Sequence, residues 1–331
     1  MSEPLLLAMG ELLVDMFPDR IGCRLAEVNA FFPKPGGAPA NVAVAASRLG
    51  IQSGFIGKVG ADHFGYHLEQ VLQTEGVDTS GLRFDQDART TMAVIAMPDE
   101  HSAEFVFYRN PGADQRLRTE ELDEALITSS QVFHVGSLSL TDEPARSATF
   151  HAVQVARANG SLVSYDVNYR PSLWADPAEA LTQAKRIIKQ ADLVKVNEGE
   201  AALLAGIEEL TADNQNQLEL AAGEILGMGP ALVVVTLGPG GCFYKTAANA
   251  GFSPGFTVDT VDAIGCGDAF MASLLVGLVE LGDWREKLAQ ESLSSVLRFA
   301  NAAGALTSTK KGAMPAMPTR AEVDEFLSNQ N

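Results

Sequence analysis

The chain is built from short β-rich runs, most of which are separated by segments with helical periodicity. The runs are largely continuous in aliphatic residues, as expected for strands that are buried on both faces. The predicted strands are residues 5–17, 53–60, 91–98, 104–109, 132–137, 162–168, 193–197, 231–238 and 242–246, and the predicted helices are 41–50, 62–76, 144–160, 177–191, 217–229 and 284–306. Strands spaced by helices predict an α/β fold with a mostly parallel central sheet covered on both faces.

Two regions depart from this rhythm. Residues 88–113 contain two consecutive strand patterns, TMAVIAMP and EFVFYR, with no helix between them, which predicts a hairpin. Residues 16–35 also lack a helical pattern and are rich in Phe and Pro. We expect one domain spanning residues 1–331, with a small β lid from about 16–35 and 88–113 that closes over a substrate. An exposed face of this lid also offers a surface for a homodimer.

Charge and cysteine content restrict the class of protein. Acidic residues outnumber basic ones by 42 to 24, a formal net charge of −18 at pH 7, and this argues against nucleic-acid and anionic-membrane partners. Cys23, Cys242 and Cys266 are odd in number and lack C-x-x-C spacing, so neither a disulfide framework nor a zinc site is predicted. Glu11 and Asp15 interrupt the N-terminal apolar run, which predicts a buried strand instead of a signal peptide. We expect a cytoplasmic protein.

The segment DAIGCGDAF, residues 262–270, precedes an apolar helix that continues to Leu281. Gly265 and Gly267 allow the backbone to curl tightly, and the free amides of the first helical turn attract anions. The pattern therefore favours an anion site beside Asp268. The alternative is that Asp268 caps the helix and that Asp262 is only a turn residue.

The segment PKPGGAPANVAVAASRLG, residues 33–50, places Gly36 and Gly37 before a helix rich in small residues. Asn41 has two interpretations here. It is either the N-cap of that helix or, through its amide, a ligand for a polar, uncharged molecule such as a sugar.

Polar residues follow two other predicted strands. Asp166, Asn168 and Arg170 alternate at a strand end, so they share one face, either at the position where α/β proteins bind ligands or simply on the exposed surface. Asn197 and Glu200 cross a strand-to-helix junction with the spacing of a capping box.

The segment VVVTLGPGGCFY, residues 233–244, combines a buried strand with a Gly-Pro-Gly-Gly turn and so predicts a hairpin.

Taken together, residues 36–50 and 262–270 resemble the two signature regions of the ribokinase-like, pfkB-type carbohydrate kinases. The resemblance covers the whole chain, because further motifs follow in the family's order: GELLVD, FYRNPGAD, DVNYR, NEGE, TLGPGG and NAAGALTSTKKGAMPAMP. GELLVD, YRNPGAD and DVNYRPSLW are most similar to fructokinases. The resemblance implies a three-layer α/β/α fold and the ATP-dependent phosphorylation of a sugar hydroxyl, here D-fructose to fructose 6-phosphate.

The resemblance also implies roles for single residues. Asp268 matches the general base, and the amides of Gly265, Cys266 and Gly267 match the anion hole for the γ-phosphate. The positions that match sugar contacts are Asp15, Gly36, Gly37, Asn41 and Arg109, with Asn168 and Arg170 near the sugar and the phosphates. The positions that match nucleotide contacts are Asn197, Thr236, Gly238, Gly241 and Asn301.

Metal ions are implied in the same way. Asn197 and Glu200 match the N-x-x-E element that organises Mg²⁺, usually through water. A monovalent cation such as K⁺ is common in the family. The positions that match its mainly carbonyl ligands are Asp262, Ile264, Thr307, Lys310, Gly312 and Ala316.

The chain departs from the commoner family pattern D-T-x-G-A-G-D at two positions. Ala263 replaces a hydroxyl residue, which leaves the dependence on K⁺ open. Cys266 replaces a small Ala at a helix N-terminus, where the thiol pKa is expected to be lowered. We therefore expect oxidation or alkylation of Cys266 to block the phosphate site, unless the cysteine is there only because it is small enough to fit.

Two other functions remain open from the sequence. One is a 2-keto-3-deoxygluconate kinase, whose substrate carboxylate Arg109 and Arg170 would bind. The other is a non-catalytic sugar-binding regulator on the same fold. Retention of Asp268, Asn197 and Glu200 argues against the regulator, because a pure binder has no need for a base together with metal positions.

Overall fold

The computed structural model describes residues 5–98, 104–208, 210–288 and 292–330. The strands within these ranges form one sheet of nine strands and one of four. They are β1 (Leu6–Met9), β2 (Leu13–Pro18), β3 (Phe31–Gly36), β4 (Ser53–Gly60), β5 (Asp78–Asp85), β6 (Met92–Ala96), β7 (Glu104–Tyr108), β8 (Val132–Gly136), β9 (Leu162–Asp166), β10 (Leu193–Asn197), β11 (Leu232–Thr236), β12 (Gly241–Thr246) and β13 (Ala250–Pro254).

The nine-stranded sheet confirms the predicted parallel core. Its order is β13-β12-β11-β10-β9-β8-β1-β4-β5, and every adjacent pair between β11 and β5 is parallel. Only β12 and β13, at one edge, pair antiparallel in this sheet as described. Because the parallel strands point the same way, residues that follow their carboxyl ends lie along one edge, where α/β proteins bind ligands.

Helices cover both faces of this sheet. They are α1 (Ala38–Arg48), α2 (His63–Thr74), α3 (Glu124–Ser129), α4 (Ala145–Ala158), α5 (Pro177–Ile188), α6 (Glu198–Ala205), α7 (Gln215–Leu226), α8 (Cys266–Leu281), α9 (Trp284–Lys287), α10 (Ser292–Ser308), α11 (Ala313–Ala316) and α12 (Arg320–Ser328). One apolar core joins the sheet to α1, α2, α8, α10 and α12, and a second core joins it to α3 through α7. The three-layer α/β/α fold is therefore confirmed.

Helix α8 is the central helix of the first core. Every residue from Asp268 to Val276 is buried, as its apolar composition predicts. Gly282, with φ 81°, ends the helix in a conformation that favours glycine. Because the helix is enclosed on its sides, its first turn is the part that faces the carboxyl edge of the sheet.

The four-stranded sheet has the order β3-β2-β6-β7. Strands β6 and β7 pair antiparallel, which confirms the predicted hairpin, although residues 99–103 between them lie outside the described residues. Strand β2 begins a few residues after β1 ends, so this second sheet stands at the carboxyl edge of the first.

The structure corrects several predicted boundaries. Residues 5–17 form two strands in different sheets, and residues 284–306 divide into α9 and α10. Strands β3, β5 and β13 were not predicted. All three lie at sheet edges, where β3 tolerates its prolines and where the neighbouring strand decides the pairing more than the strand's own composition does. Among the described residues, no helix is both long and apolar enough to cross a membrane.

Candidate active site

Two cavities meet at the first turn of α8. The acidic cavity has a volume of about 300 Å³, and its carboxylates are Glu11, Asp15, Asp166 and Asp268. The glycine-rich cavity has a volume of about 350 Å³, and its glycines are Gly238, Gly241, Gly255, Gly267 and Gly304. Ala263 and Gly267 line both cavities, so ligands in the two would meet at this turn.

The turn before α8 is shaped by glycine. Gly265 has φ 86°, and a Cβ added to it would lie 2.9 Å from Ala313 Cα. The amides of Asp268 and Ala269 donate to Gly265 O, whereas no acceptor for the Gly267 amide is found in the described part of the chain. A free amide at a helix N-terminus, where the helix dipole is positive, suits an anion.

Asp268 is buried at this turn, with 8% of its surface exposed. Its Oδ2 accepts a 2.7 Å hydrogen bond from Asn41 Nδ2, and the N-cap position belongs to Gly265, so a capping role is not what holds it. Burial raises the pKa of Asp268 to about 7, and the charge of Asp166 adds to this while Asn41, Lys195 and Arg170 oppose it. A carboxylate with this pKa is suited to accept a proton near neutral pH.

Asn41 lies within α1, and Gly37 is the N-cap residue of that helix, so the interpretation of Asn41 as a cap is wrong. Asn41 Oδ1 is buried without a hydrogen-bond partner among the described residues, and the side chain lines the acidic cavity. An unpaired buried acceptor of this kind is costly unless a ligand donates to it.

Gly36 and Gly37 pack directly against carboxylate residues. A Cβ at Gly36 would lie 2.0 Å from Asp15 Oδ2, and one at Gly37 would lie 2.3 Å from Glu11 O. Gly37 lines the acidic cavity, and Gly36 stands behind Asp15. Both glycines therefore let the two sheets and α1 approach closely enough to form the cavity.

Glu11, between β1 and β2, and Asp15, on β2, are the carboxylates from the N-terminal part of the chain. Burial raises the pKa of Glu11 to about 7 and that of Asp15 to about 8, and Asp15 is further raised by the charges of Asp268 and Glu11. Glu11 Oε1 accepts from Ala38 N, while Oε2 has no partner among the described residues. Sequence analysis did not select Glu11, although a carboxylate inside an apolar run was a usable signal.

The polar residues at the end of β9 lie together, as their alternation predicted. Asp166, Asn168 and Arg170 all line the acidic cavity. Asn168 has φ 36°, an uncommon conformation for a residue with a side chain. The Arg170 guanidinium carbon lies 5.6 Å from the Phe105 ring centre, so it contacts the second sheet.

Lys195 is a cavity residue that sequence analysis missed. It lies on β10 opposite Asp166 on β9, and its Nζ donates to both carboxylate oxygens of Asp166, at 3.0 and 2.8 Å. Burial lowers its pKa, but the charges of Asp166 and Glu200 more than offset this, and the net pKa is raised. The signal in the sequence was a lysine within an otherwise apolar strand.

Arg109 is not among the residues that line either cavity. Its guanidinium donates to Asp114 Oδ2, Thr141 Oγ1 and Leu138 O. These bonds occupy the planar group on several sides, so Arg109 supports the wall of the cavity.

Thr236, Gly238, Gly241 and Asn301 all line the glycine-rich cavity. The predicted hairpin is confirmed, since β11 and β12 pair antiparallel on either side of Gly238–Gly240. Asn301 Nδ2 donates to Ser253 and Pro254, which fixes the cavity wall.

Cys266 also lines the glycine-rich cavity, but the expected lowering of its thiol pKa is wrong. Burial raises the pKa of its thiol to about 12, and the charges of Asp262 and Asp268 raise it further. The two neighbouring carboxylates thus add to the effect of burial, and together these outweigh the helix N-terminus. The thiolate that oxidation and alkylation require is disfavoured.

Asn197 and Glu200 form the capping box that their spacing predicts. Glu200 Oε2 accepts from Asn197 N, and Oε1 accepts from Tyr169 N, which ties the 166–170 segment to α6. No cluster of three or more His, Cys, Asp or Glu residues suited to a metal occurs in the described ranges.

The residues expected to hold a monovalent cation come from two segments that the structure joins. Asp262 Oδ1 accepts from Ile264 N, and Oδ2 accepts from Gly312 N. Thr307 is buried with its hydroxyl donating to Ala303 O, whereas Lys310 Nζ extends outward to Glu322. Ala316 ends the short helix α11 that begins after Gly312. The Asp262 side chain thus links the turn before α8 to the start of α11.

Known proteins resemble this chain over nearly its full length. A probable fructokinase-3 from Arabidopsis thaliana is 45% identical over 329 residues, covering 99% of this chain and 93% of that protein. Fructokinase-1 from Zea mays is 44% identical over 326 residues and covers 98% of each chain.

Solved structures agree with this similarity. A fructokinase from Xylella fastidiosa with bound ATP superposes with a TM-score of 0.87 at 33% identity, covering 98% of both chains. A fructokinase from Vibrio cholerae O395, bound to fructose, ADP and a calcium ion, superposes with a TM-score of 0.85 at 35% identity and covers 99% of both. Residues 4–320 match the family model described as pfkB family carbohydrate kinase. With its two joined cavities and buried aspartate, the chain belongs to the pfkB family of carbohydrate kinases.

Proposed function

We propose that this carbohydrate kinase transfers the γ-phosphoryl group of ATP to the 6-hydroxyl of D-fructose. The observation that carries the proposal is the position of Asp268, buried in the acidic cavity beside the turn where the two cavities meet. Relatives named fructokinase, and a fructokinase structure that holds fructose and ADP, support the choice of acceptor.

In the proposed mechanism, fructose occupies the acidic cavity and ATP the glycine-rich cavity. Asp268 takes the proton of the 6-hydroxyl as its oxygen forms a bond to the γ-phosphorus, and the bond from that phosphorus to the bridging oxygen of ADP breaks. The Gly267 amide and its neighbours at the helix N-terminus stabilise the negative charge of the transferring group. Since positioning accounts for much of the rate, the Asn41 contact that orients Asp268 matters as well.

The polar groups of the acidic cavity divide the sugar contacts between them. Asp15, Asn41 and Asn168 offer oxygens to sugar hydroxyls, and Gly37 allows close approach of the sugar. Arg170 faces both the sugar and the phosphates, while Gly36 and Arg109 act by supporting Asp15 and the cavity wall.

The charge of this cavity favours fructose over 2-keto-3-deoxygluconate. Four carboxylates line it against two cations, Arg170 and Lys195, and Lys195 is already paired with Asp166. Arg109, the other cation considered for a sugar acid, is engaged with Asp114. Among the described lining residues this leaves Arg170 alone to offset a substrate carboxylate, whereas a neutral sugar needs no such partner.

Metal ions complete the proposed chemistry. Mg²⁺ bound to the ATP phosphates would neutralise charge there, with Asn197 and Glu200 organising its water shell. K⁺ would lie among the carbonyls near Asp262, Ile264, Thr307, Lys310, Gly312 and Ala316.

The nucleotide would be contacted by Thr236, Gly238, Gly241 and Asn301.

We infer that residues 1–331 form one domain. The second sheet is its proposed lid, and the outer face of this sheet is the proposed dimer surface. Phe105 and Phe107 line the acidic cavity, so this sheet covers the sugar. Phe32, Val106 and Tyr108 are exposed by 53%, 43% and 61%. Apolar side chains at such exposure suit contact with a second copy of the chain.

We further propose that the protein is located in the cytoplasm.

The test is ADP release across a panel of fructose, 2-keto-3-deoxygluconate, ribose and adenosine, with and without K⁺. A response to fructose alone supports the proposal, and a response to 2-keto-3-deoxygluconate alone replaces the acceptor. Absence of any response, together with measurable fructose binding by calorimetry, would identify a non-catalytic sugar-binding protein.

A further inference from the structure

Lys195 occupies a position between the two cavities. It is 6% exposed, lies on β10 and lines the acidic cavity. A Cβ built on Gly267 would be 3.3 Å from Lys195 Nζ, so the ammonium group lies directly beside the first turn of α8. Gly267 also lines the glycine-rich cavity, which places this positive charge where the two ligands would meet.

The hydrogen bonds of Lys195 leave part of its capacity unused. An ammonium group carries three donors. The two bonds of Lys195 Nζ go to the two oxygens of Asp166, and no further acceptor is found for it among residues 5–98, 104–208, 210–288 and 292–330. One donor is therefore available to a ligand.

Lys58 provides a comparison from the same fold. It is another strand lysine, on β4, with the same 6% exposure. Its Nζ contacts Glu121, Asp85 and the Arg116 carbonyl, and it lines neither cavity. Lys58 thus has the contacts of a structural ion pair, whereas Lys195 has a single partner and faces the reaction centre.

We propose that Lys195 is a further catalytic residue, whose ammonium group donates a hydrogen bond to a non-bridging oxygen of the γ-phosphoryl group during transfer. The inference rests on the proposed function. Lys195 keeps its proton throughout, because the proton of the sugar hydroxyl goes to Asp268 and the phosphoryl group goes to the sugar oxygen. Asp166 holds the ammonium group in place, and the added positive charge stabilises the transition state more than either bound substrate.

The experiment compares Lys195→Met with Lys58→Met in the full-length enzyme, supplied with fructose, ATP, Mg²⁺ and K⁺. For Lys195→Met we expect kcat to fall by about 10²-fold or more, the typical effect of losing one transition-state donor. The dissociation constants of fructose and ADP should stay within about threefold, whereas the extra affinity for ADP with aluminium fluoride and fructose should be lost. Lys58→Met should lower the melting temperature with little change in kcat.

The outcomes separate the inference from the function on which it rests. A folded Lys195→Met enzyme with kcat within about threefold of wild type would overturn the role of Lys195. An equal loss of kcat in folded Lys58→Met would also overturn it. Wild type that releases no ADP with fructose would instead refute the proposed function. If Lys195→Met does not fold, Lys195→Gln, which still donates to Asp166, provides the same measurements.

Discussion

Asn41 Nδ2 donates a 2.7 Å hydrogen bond to Asp268 Oδ2, joining two residues that are 227 positions apart in the chain. The bond links the first turns of α1 and α8, which pack against each other in one core. It fixes one carboxylate oxygen of Asp268, and no partner for the other oxygen is found among the described residues, so that oxygen can accept a proton. The proposed base is thus oriented before a substrate arrives.

Replacing that base tests its role directly. We expect Asp268→Asn to lower kcat by about a hundredfold or more, because an amide cannot accept the hydroxyl proton. Fructose affinity should change little, since the shape of the side chain is kept. Initial rates and calorimetric titration with fructose measure the two effects. Undiminished turnover in this variant would refute the assignment.

The raised pKa of Asp268 predicts how activity depends on pH. The group acts when ionised, and its pKa is raised to about 7 by burial, so activity is lost as the pH falls through that value. We expect kcat/KM for fructose to fall by about tenfold per pH unit below about pH 7 and to level off above it.

The measurement is a series of initial rates from about pH 5.5 to about pH 9 with saturating ATP. Because Asp15 and Glu11 titrate nearby, with pKa values raised to about 8 and about 7, Asp15→Asn and Glu11→Gln are the controls that separate these groups from Asp268. A profile that is flat across the acidic range would contradict the proposed base.

Gly36→Ala should weaken the binding of fructose through a single steric contact. Gly36 does not have a positive φ, so alanine fits its backbone, but the added Cβ would lie 2.0 Å from Asp15 Oδ2. Asp15 must move, and we expect KM for fructose to rise by about tenfold or more, equivalent to about 1.4 kcal/mol, with KM for ATP little changed.

Gly223→Ala is the matched control for that substitution. A Cβ at this position on α7 meets Lys245 Cε at 3.5 Å, an ordinary contact. We expect unchanged kinetics and about 0.5–1 kcal/mol of added stability, since alanine favours a helix. If both variants bind fructose as wild type does, Asp15 is not a sugar contact.

The proposed dimer is tested on the outer face of the second sheet. Tyr108→Glu places a charge among exposed apolar side chains and should convert a wild-type dimer to a monomer. Light scattering after gel filtration measures the mass. Leu220→Glu, at an equally exposed position on α7, should leave it unchanged. A monomeric wild type would show that this face does not associate.

The site residues whose positions depend on nearby residues in the sequence could be predicted. Asp166, Asn168 and Arg170 follow a strand end, and Asp268 follows a glycine turn, so their positions depend on nearby residues. The parallel sheet then brings these segments to one edge. The local pattern therefore predicted their location, whereas the roles given to them came from the family resemblance.

The remaining residues depend on contacts that are distant in sequence. Lys195 lies within an apolar strand, and only the register of β9 and β10 shows that it meets Asp166. Arg109 matched a sugar contact through the family resemblance, yet its guanidinium donates to Asp114 and Thr141. The pKa of the Cys266 thiol depends on burial and on two neighbouring carboxylates more than on the helix dipole. None of these environments is visible in a local pattern.

Residues 5–17 form two strands in different sheets, and this division affects the affinity for a sugar. The chain leaves one sheet at Met9 and enters the other at Leu13, so Asp15 belongs to the second sheet while Asn41 and Asp268 belong to helices on the first. A hexose that touches both groups couples its own affinity to the angle between the two sheets. An analogue that lacks one hydroxyl would therefore bind more weakly and also turn over more slowly when bound, because it no longer holds the two sheets at the angle that the reaction needs.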